Sequence, residues 1–287
     1  MRLLCLGYGY CAARTAEMFG GRFESVTGTS RNPKSREGVT RLAFDGGEAS
    51  HALAYAVRHA THVLVSAAPT ASGDPFLSSL TPALAAAPNL QQVVYLSSLG
   101  VYGDHHGAWI DETVEASPLH ARGRARLEAE RAWQAFGAAR GTPVAVLRLA
   151  GIYGPGQNML VRLREGRAHR IDKPGHVFNR IHVDDIARTI DGAITRRADG
   201  LFNVCDDEPA DSGTLILMAA QMMGIQPPPV MSWDEAQRTL SPMALSFYDS
   251  CNRVRNDKIK RELGVTLAYP TYREGLQALF GSGEGRG

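Results

Sequence analysis

Leu3-Leu4-Cys5-Leu6-Gly7-Tyr8-Gly9-Tyr10-Cys11-Ala12 is the stretch whose reading decides the fold. An apolar run that reads as a β-strand, Leu3–Leu6, passes directly into the pattern G-x-G-x-x-A, and Ala12–Phe19 reads as a helix with small residues on one face. The small residues have separate tasks: the first glycine permits a tight turn, the second lets a pyrophosphate approach the backbone, and the alanine lets the helix pack close to the strand. A helix N-terminus at that point offers free N–H groups and partial positive charge to phosphates. A glycine pair can also serve a tight turn and nothing more. The position between strand and helix, at the start of an α/β alternation, favours dinucleotide binding, with Gly7, Tyr8, Gly9, Tyr10 and Cys11 forming the contact loop.

Working outward, Ser25–Thr29, Leu42–Phe44, Val63–Ser66, Val93–Leu96 and Val144–Leu149 read as further strands, and Phe76–Ala87 and Arg124–Ala139 as helices. Strands this apolar are covered on both faces, which predicts an α/β protein with a doubly wound parallel sheet, the Rossmann fold, over residues 1–155. The rhythm changes at the Gly/Pro loop Gly151–Gly156 and breaks again at Pro227–Pro229. Residues 156–287 are therefore expected to form a smaller, mainly substrate-binding region. Roughly 177–205 should return to the sheet, through a strand end running into a helix at Ile181–Ile190 and a strand at Phe202–Val204. Tyr269–Phe280 reads as an amphipathic helix, and the Gly-rich tail Gly281–Gly287 as disordered.

The chain has 287 residues, 44% hydrophobic and 21% charged, enough for a sizeable core. Its 31 basic and 29 acidic residues leave a net charge of +2, which argues against nucleic-acid binding by bulk charge. Cys5, Cys11, Cys205 and Cys251 fit neither a metal motif nor a disulfide framework, and no metal is expected. No apolar run approaches the length of a membrane span, so a reduced, cytoplasmic setting is the expectation. Partners are expected to be a small-molecule substrate and no nucleic acid or membrane; a homodimer is compatible with the sequence.

NAD-binding proteins place an acid about 20 residues after the glycine loop to bond the ribose 2′-OH. Here the second strand ends in Thr29-Ser30-Arg31, which offers hydroxyls and a guanidinium and no acid. A guanidinium pairs with a 2′-phosphate that a carboxylate would repel, so NADP is expected rather than NAD. The alternative is a plain solvated polar loop.

Further segments carry a family resemblance across nearly the whole chain. Val65-Ser66-Ala67-Ala68-Pro69, Tyr95-Leu96-Ser97-Ser98-Leu99-Gly100-Val101-Tyr102-Gly103, Arg148 to Gly156 (R-x-x-x-x-YGPG), Ile181-His182-Val183-Asp184-Asp185-Ile186-Ala187 and Phe202-Asn203-Val204 follow in order. Together they resemble the extended, atypical short-chain dehydrogenase/reductases, the NAD-dependent epimerase/dehydratase proteins. The resemblance implies a cofactor lying over Gly7, Gly9, Arg31, Ser66, Ala67, Ala68 and Ser98, with the substrate held by the C-terminal third. It implies a catalytic serine at Ser98 and a Tyr-x-x-x-Lys opening the next helix. The chain departs there: aligned on Gly123, Leu127 and Glu130, the tyrosine position holds Arg122 and the lysine position Arg126. A guanidinium does not give up its proton in proteins, so Arg122 cannot do the tyrosine's work, whereas Arg126 can still hold a ribose or phosphate. Proton transfer would fall to Tyr102, Tyr153, His105, His106 or His120, each of which also has an ordinary packing or surface role open to it. His182, Asp184 and Asp185 read as a capped strand-to-helix junction. Lys258, Lys260 and Arg261 read as a solvated helix face, and Arg253 resembles a substrate-phosphate position. Two functions follow: an NADP-dependent oxidoreductase or epimerase acting on a small hydroxylated or sugar-like substrate, or a non-catalytic NADP(H)-binding sensor or partner protein.

Overall fold

In the computed structural model, which describes residues 1–286, the chain alternates strand and helix from its first residues. Strand β1 (Arg2–Leu6) leads to α1 (Tyr10–Phe19), β2 (Ser25–Ser30), β3 (Thr40–Ala43), α2 (His51–His59), β4 (His62–Val65), α3 (Pro75–Ala85), β5 (Gln92–Ser98), the short β6 (Trp109–Ile110), α4 (Ala121–Arg140), β7 (Val144–Leu149) and β8 (Gly151–Tyr153). There follow α5 (Met159–Arg164), β9 (Arg170–Asp172), β10 (Arg180–His182), α6 (Val183–Arg196), β11 (Gly200–Val204), α7 (Ser212–Met223), β12 (Val230–Ser232), α8 (Trp233–Thr239), α9 (Pro242–Leu245), β13 (Arg253–Val254), α10 (Asp257–Leu263) and α11 (Tyr272–Gly281).

Seven strands form one parallel sheet in the order β3-β2-β1-β4-β5-β7-β11. The order reverses beside β1, whose neighbours are β2 and β4, and the carboxyl ends of strands at such a switch point leave a crevice. Successive residues of β1 serve opposite faces. Leu3 and Cys5 join the core under α1 and α6, whereas Leu4 and Leu6 join the core under α2, α3 and α4. Both faces are covered, the doubly wound arrangement expected from sequence. A third apolar cluster, of Leu160, Leu163, Leu215, Ile216, Leu276 and Leu279, knits α5, α7 and α11 into the C-terminal lobe. Among the described residues no helix is long and apolar enough to cross a membrane, and the four cysteines are unpaired.

Of the stretch 177–205, Gly200–Val204 joins the sheet, but Arg180–His182 pairs with Gly151–Tyr153 in a separate ladder. The segment read as a Gly/Pro loop at 151–156 thus begins with a strand. Helix α2 went unseen because only Leu53 and Val57 supply its buried face; Ser50 Oγ caps it by accepting from Leu53 N at 3.2 Å. The junction at α6 is capped by His182, whose Nδ1 accepts from Asp184 N at 3.1 Å, and not by an aspartate. Asp185 instead accepts from the N–H groups of Ala268 and Tyr269, and Asp184 takes a two-pronged ion pair from Arg14 that ties α6 to α1. The expected disorder of the tail does not hold for residues 281–286: Glu284 accepts from Gly156 N and from Asn158 Nδ2, both at 3.0 Å, and Gly285 is buried. Residue 287 lies outside the described residues.

A buried ion pair fixes α4 to the sheet. Glu130 is 1% exposed and Arg148, on β7, is 3% exposed. Arg148 Nη2 donates to Glu130 Oε2 at 2.7 Å, and Ser97 of β5 donates to Glu130 Oε1. The Arg148 guanidinium also lies 4.6 Å from the centre of the Tyr102 ring. Removing one partner of such a pair strands the other charge in the core, and Glu130→Ala is expected to cost about 3–5 kcal/mol in urea unfolding. A loss below about 1 kcal/mol would mean that Arg148 finds other compensation.

Candidate functional site

The glycine loop closes at the carboxyl end of β1. Gly7 has φ +88°, and a Cβ placed on it would stand 2.7 Å from Cβ of Ala67, so neither the turn nor the space admits a side chain. A Cβ on Gly9 would meet nothing within 4 Å, so open space lies beyond this glycine. Gly9 also caps α1 without any side-chain hydrogen bond, which leaves the first N–H groups of the helix free for a ligand. These features suit a dinucleotide pyrophosphate: a backbone cradle, an uncapped helix end, and room.

The expected cofactor residues divide into two groups. Ser66, Ala67 and Ala68 follow β4, with Ala67 against Gly7, and Gly9 faces open space. Thr29 is fully buried and supports the loop from behind, its Oγ1 accepting from Gly7 N at 2.9 Å and its carbonyl from Tyr8 N at 2.6 Å. Cys11 packs into the core, and burial pushes its thiol up to about 11. Tyr10 reaches across to the C-terminal lobe, its hydroxyl donating to the Pro155 carbonyl at 3.0 Å. Ser30 ends β2, and the exposed Arg31 follows it.

Ser98 ends β5, and its Oγ accepts from Gly100 N at 3.2 Å. Gly123 of α4 lies against this turn, for a Cβ there would be 3.0 Å from the Gly100 carbonyl oxygen. The first turns of α4 therefore stand beside Ser98. Arg126 is half-buried, and Nη1 donates to the Leu96 carbonyl on β5 at 2.7 Å. Arg122 is exposed and donates to Ser246 Oγ at 3.1 Å.

The proton-transfer candidates separate by environment. Tyr102 is fully buried and its hydroxyl donates to Asn203 Oδ1 at 2.8 Å; Tyr153 is 8% exposed, and burial raises its pKa far above the usual phenol range. Both belong to the packing. His105 Nε2 lies 3.2 Å from the Tyr102 carbonyl, and His106 projects into solvent beside Asp104. His120 immediately precedes α4, is partly exposed, and pairs through Nε2 with Asp249 Oδ2 at 3.2 Å. Burial depresses His182 to about 4; with Nδ1 accepting from Asp184, it is neutral with its proton on Nε2. Arg253 spends Nη1 on the Gly107 carbonyl. The basic run is less solvated than its charge suggested, since Lys258 donates to the Leu201 carbonyl and Lys260 pairs with Asp207. Among the described residues no three His, Cys, Asp or Glu side chains gather closely enough to hold a metal ion.

Two of the cavities lie away from this crevice. One of about 430 Å³ opens at the amino ends of β1, β2 and β3, and one of about 370 Å³ at the amino ends of β7 and β11. A third, of about 320 Å³, lies beyond the carboxyl end of β5 between Asp104, His106, Lys173, His176, Tyr248 and Cys251. Its lining joins the segment after β5 (Asp104, His106) to the C-terminal region (Lys173, His176, Tyr248, Cys251).

One buried group was not anticipated. Asp206, 2% exposed, follows β11, and burial raises its carboxyl to about 8, with Arg180 opposing and Asp207 and Glu208 adding to the rise. Because the folded-state pKa exceeds the ordinary carboxylate value, stability is held below about pH 4 and lost as pH rises toward 8. Asp206→Asn should therefore gain stability relative to the parent as pH increases across that window, measured by melting temperature at pH 4.5 and pH 8.5. A pH-independent difference would show that Asp206 is ionised throughout.

Residues 77–205 match the NAD dependent epimerase/dehydratase family. A conserved protein of unknown function from Silicibacter pomeroyi DSS is 44% identical, with 99% of each chain covered and a TM-score of 0.86. MoeE5, solved in complex with UDP-glucuronic acid and NAD, is 22% identical over 96% of each chain with a TM-score of 0.77, a likeness of fold. The 3-diazoavenalumate denitrifying reductase of Streptomyces sp is 28% identical over 137 residues, 46% of this chain and 45% of that protein. The chain spans about half the length of the curated relatives it matches. The glycine loop at the switch point and the Ser98 turn against α4 accompany a match to the NAD dependent epimerase/dehydratase family over residues 77–205 and a likeness of fold to solved epimerases.

Proposed function

We propose that the protein is an NADP-dependent oxidoreductase or epimerase acting on a small hydroxylated or sugar-like substrate. The observation that carries this is the uncapped start of α1 behind Gly9, with open space before it, at the switch point of the sheet. Gly7, Gly9 and the start of α1 would hold a nicotinamide dinucleotide, which would supply the hydride chemistry. The chain's residues do the rest. Ser98 uses its Oγ to accept from Gly100 N, which leaves its own proton to donate to the reacting substrate oxygen. Arg126 is held by the Leu96 carbonyl and keeps further N–H groups for the ribose. Arg122, at the mouth beside Ser246, binds an anionic group of the substrate. The proton is carried by His120, which stands next to α4 with a carboxylate partner. The lobe from residue 156 onward forms the substrate face.

A second reading, an NADP(H) sensor without turnover, draws support from the burial of Tyr102 and Tyr153 and from the arginines at the two α4 positions. Nucleotide binding is common to both readings and is tested first. In calorimetric titration the parent is expected to bind NADPH more tightly than NADH by about ten- to a hundredfold, the worth of one charge-assisted contact. Gly9→Val should abolish binding of both while the melting temperature stays close to the parent's, because the added side chain fills only the space before the loop. Unimpaired binding by that variant would place the pyrophosphate elsewhere. Oxidation of NADPH in the presence of a carbonyl substrate, lost in His120→Ala, separates the enzyme from the sensor.

A further inference from the structure

The sequence puts 2′-phosphate recognition on Arg31, but the structure gives that side chain no hydrogen bond or ion pair among the described residues and leaves it exposed. A second guanidinium reaches the same end of β2 from the neighbouring strand. Arg41 lies on β3 in register with Gly28. Its Cζ is 4.3 Å from the centre of the Tyr8 ring, and Nη2 donates to Ser30 Oγ at 3.0 Å. Its Nε is buried without a partner, and so is the Tyr8 hydroxyl.

The platform under Arg41 is itself fixed. A Cβ on Gly28 would lie 2.4 Å from Cδ2 of Tyr8, so the ring rests directly on the glycine backbone. Tyr8 occupies the first variable position of the phosphate loop, and its backbone N–H donates to the Thr29 carbonyl. The same three residues, Gly7-Tyr8-Gly9, thus shape the pyrophosphate cradle and carry the stacking surface for Arg41. Arg36, on the same edge, is paired with Glu17 at 3.6 Å, whereas no carboxylate pairs with Arg41 among the described residues. An arginine already ordered by stacking and by one hydrogen bond loses little side-chain entropy on meeting an anion, while Arg31 must be ordered from solvent.

Resting on the cofactor reading above, we infer that Arg41, stacked on Tyr8 and positioned by Ser30, is the residue that grips the adenosine 2′-phosphate and sets the preference for NADP, with Arg31 adding only diffuse charge. A planar guanidinium gives the phosphate parallel N–H groups and stays charged at every working pH. NADH, with a 2′-hydroxyl there, gains nothing comparable from Arg41.

The test is calorimetric titration of the parent, Arg41→Met and Arg31→Met with NADPH and with NADH. Arg41→Met should weaken NADPH by about ten- to a hundredfold and leave NADH within about threefold of the parent, and Arg31→Met should weaken NADPH by less than about threefold. Arg41→Lys should recover only part of the loss, because an ammonium keeps the charge and loses the planar stack. The inference is overturned if Arg31→Met carries the larger loss, if Arg41→Met weakens both nucleotides alike and so acts through Tyr8 and the loop, or if the parent does not distinguish the two nucleotides. A parent that binds neither nucleotide sinks the cofactor reading itself. A parent that prefers NADPH, with the preference intact in Arg41→Met, sinks only the role of Arg41.

Discussion

At Gly7 the chain must leave β1 with φ +88° while passing so close to the end of β4 that a Cβ would stand 2.7 Å from Ala67. The rest of the site depends on that passage. It brings the carboxyl ends of β1 and β4 together at the switch point, and it releases α1 with its first N–H groups uncapped. Thr29 holds the turn from β2 by accepting from Gly7 N, and the loop in turn lays Tyr8 over Gly28. Three strands are therefore locked to one another through a single backbone turn. A side chain at Gly7 would have to be accommodated by all of them.

A second fixture sits at the other side of the crevice. Ser97, Glu130 and Arg148 link β5, α4 and β7 in a buried network, and Ser98 is the residue next to Ser97. The register of α4 is thereby set against the sheet, and with it the distance from Ser98 to the first turns of the helix, where Gly123 touches the Gly100 carbonyl. Arg122 and Arg126 stand on those turns. Ser98 and the His120–Asp249 pair stand near the same turns. Segment Ser241–Asp249 meets the start of α4 twice, through Ser246 to Arg122 and through Asp249 to His120, which couples the C-terminal lobe to this point.

Much of this could be read from residues. The β1 loop and the strands of the main sheet follow from period and glycine placement, because parallel strands covered on both faces must be apolar throughout, and the order of the motifs through Phe202-Asn203-Val204 follows from the family resemblance. Helix α2 escaped because its buried face is only two residues wide. The tail was misread because composition alone cannot show that Glu284 finds Gly156 and Asn158 far back in the chain. Thr29 looked like a ligand for phosphate, yet its hydroxyl serves the loop, since a side chain at the last turns of a central strand alternates between crevice and core. Arg41 carried no motif at all. Its placement arises from strand register against Gly28 and from the tyrosine inside the glycine loop, which are pairings across the sheet that local sequence does not display.

A crystal structure of the protein grown with NADPH tests the central claim most directly. The pyrophosphate is predicted over Gly9, within about 2.7–3.2 Å of the first N–H groups of α1, with the nicotinamide toward Ser98. Nucleotide bound instead in the cavity between Gln134, Thr142 and Gly200 at the amino ends of the strands, or in any position that leaves the Gly9 cradle empty, would contradict it.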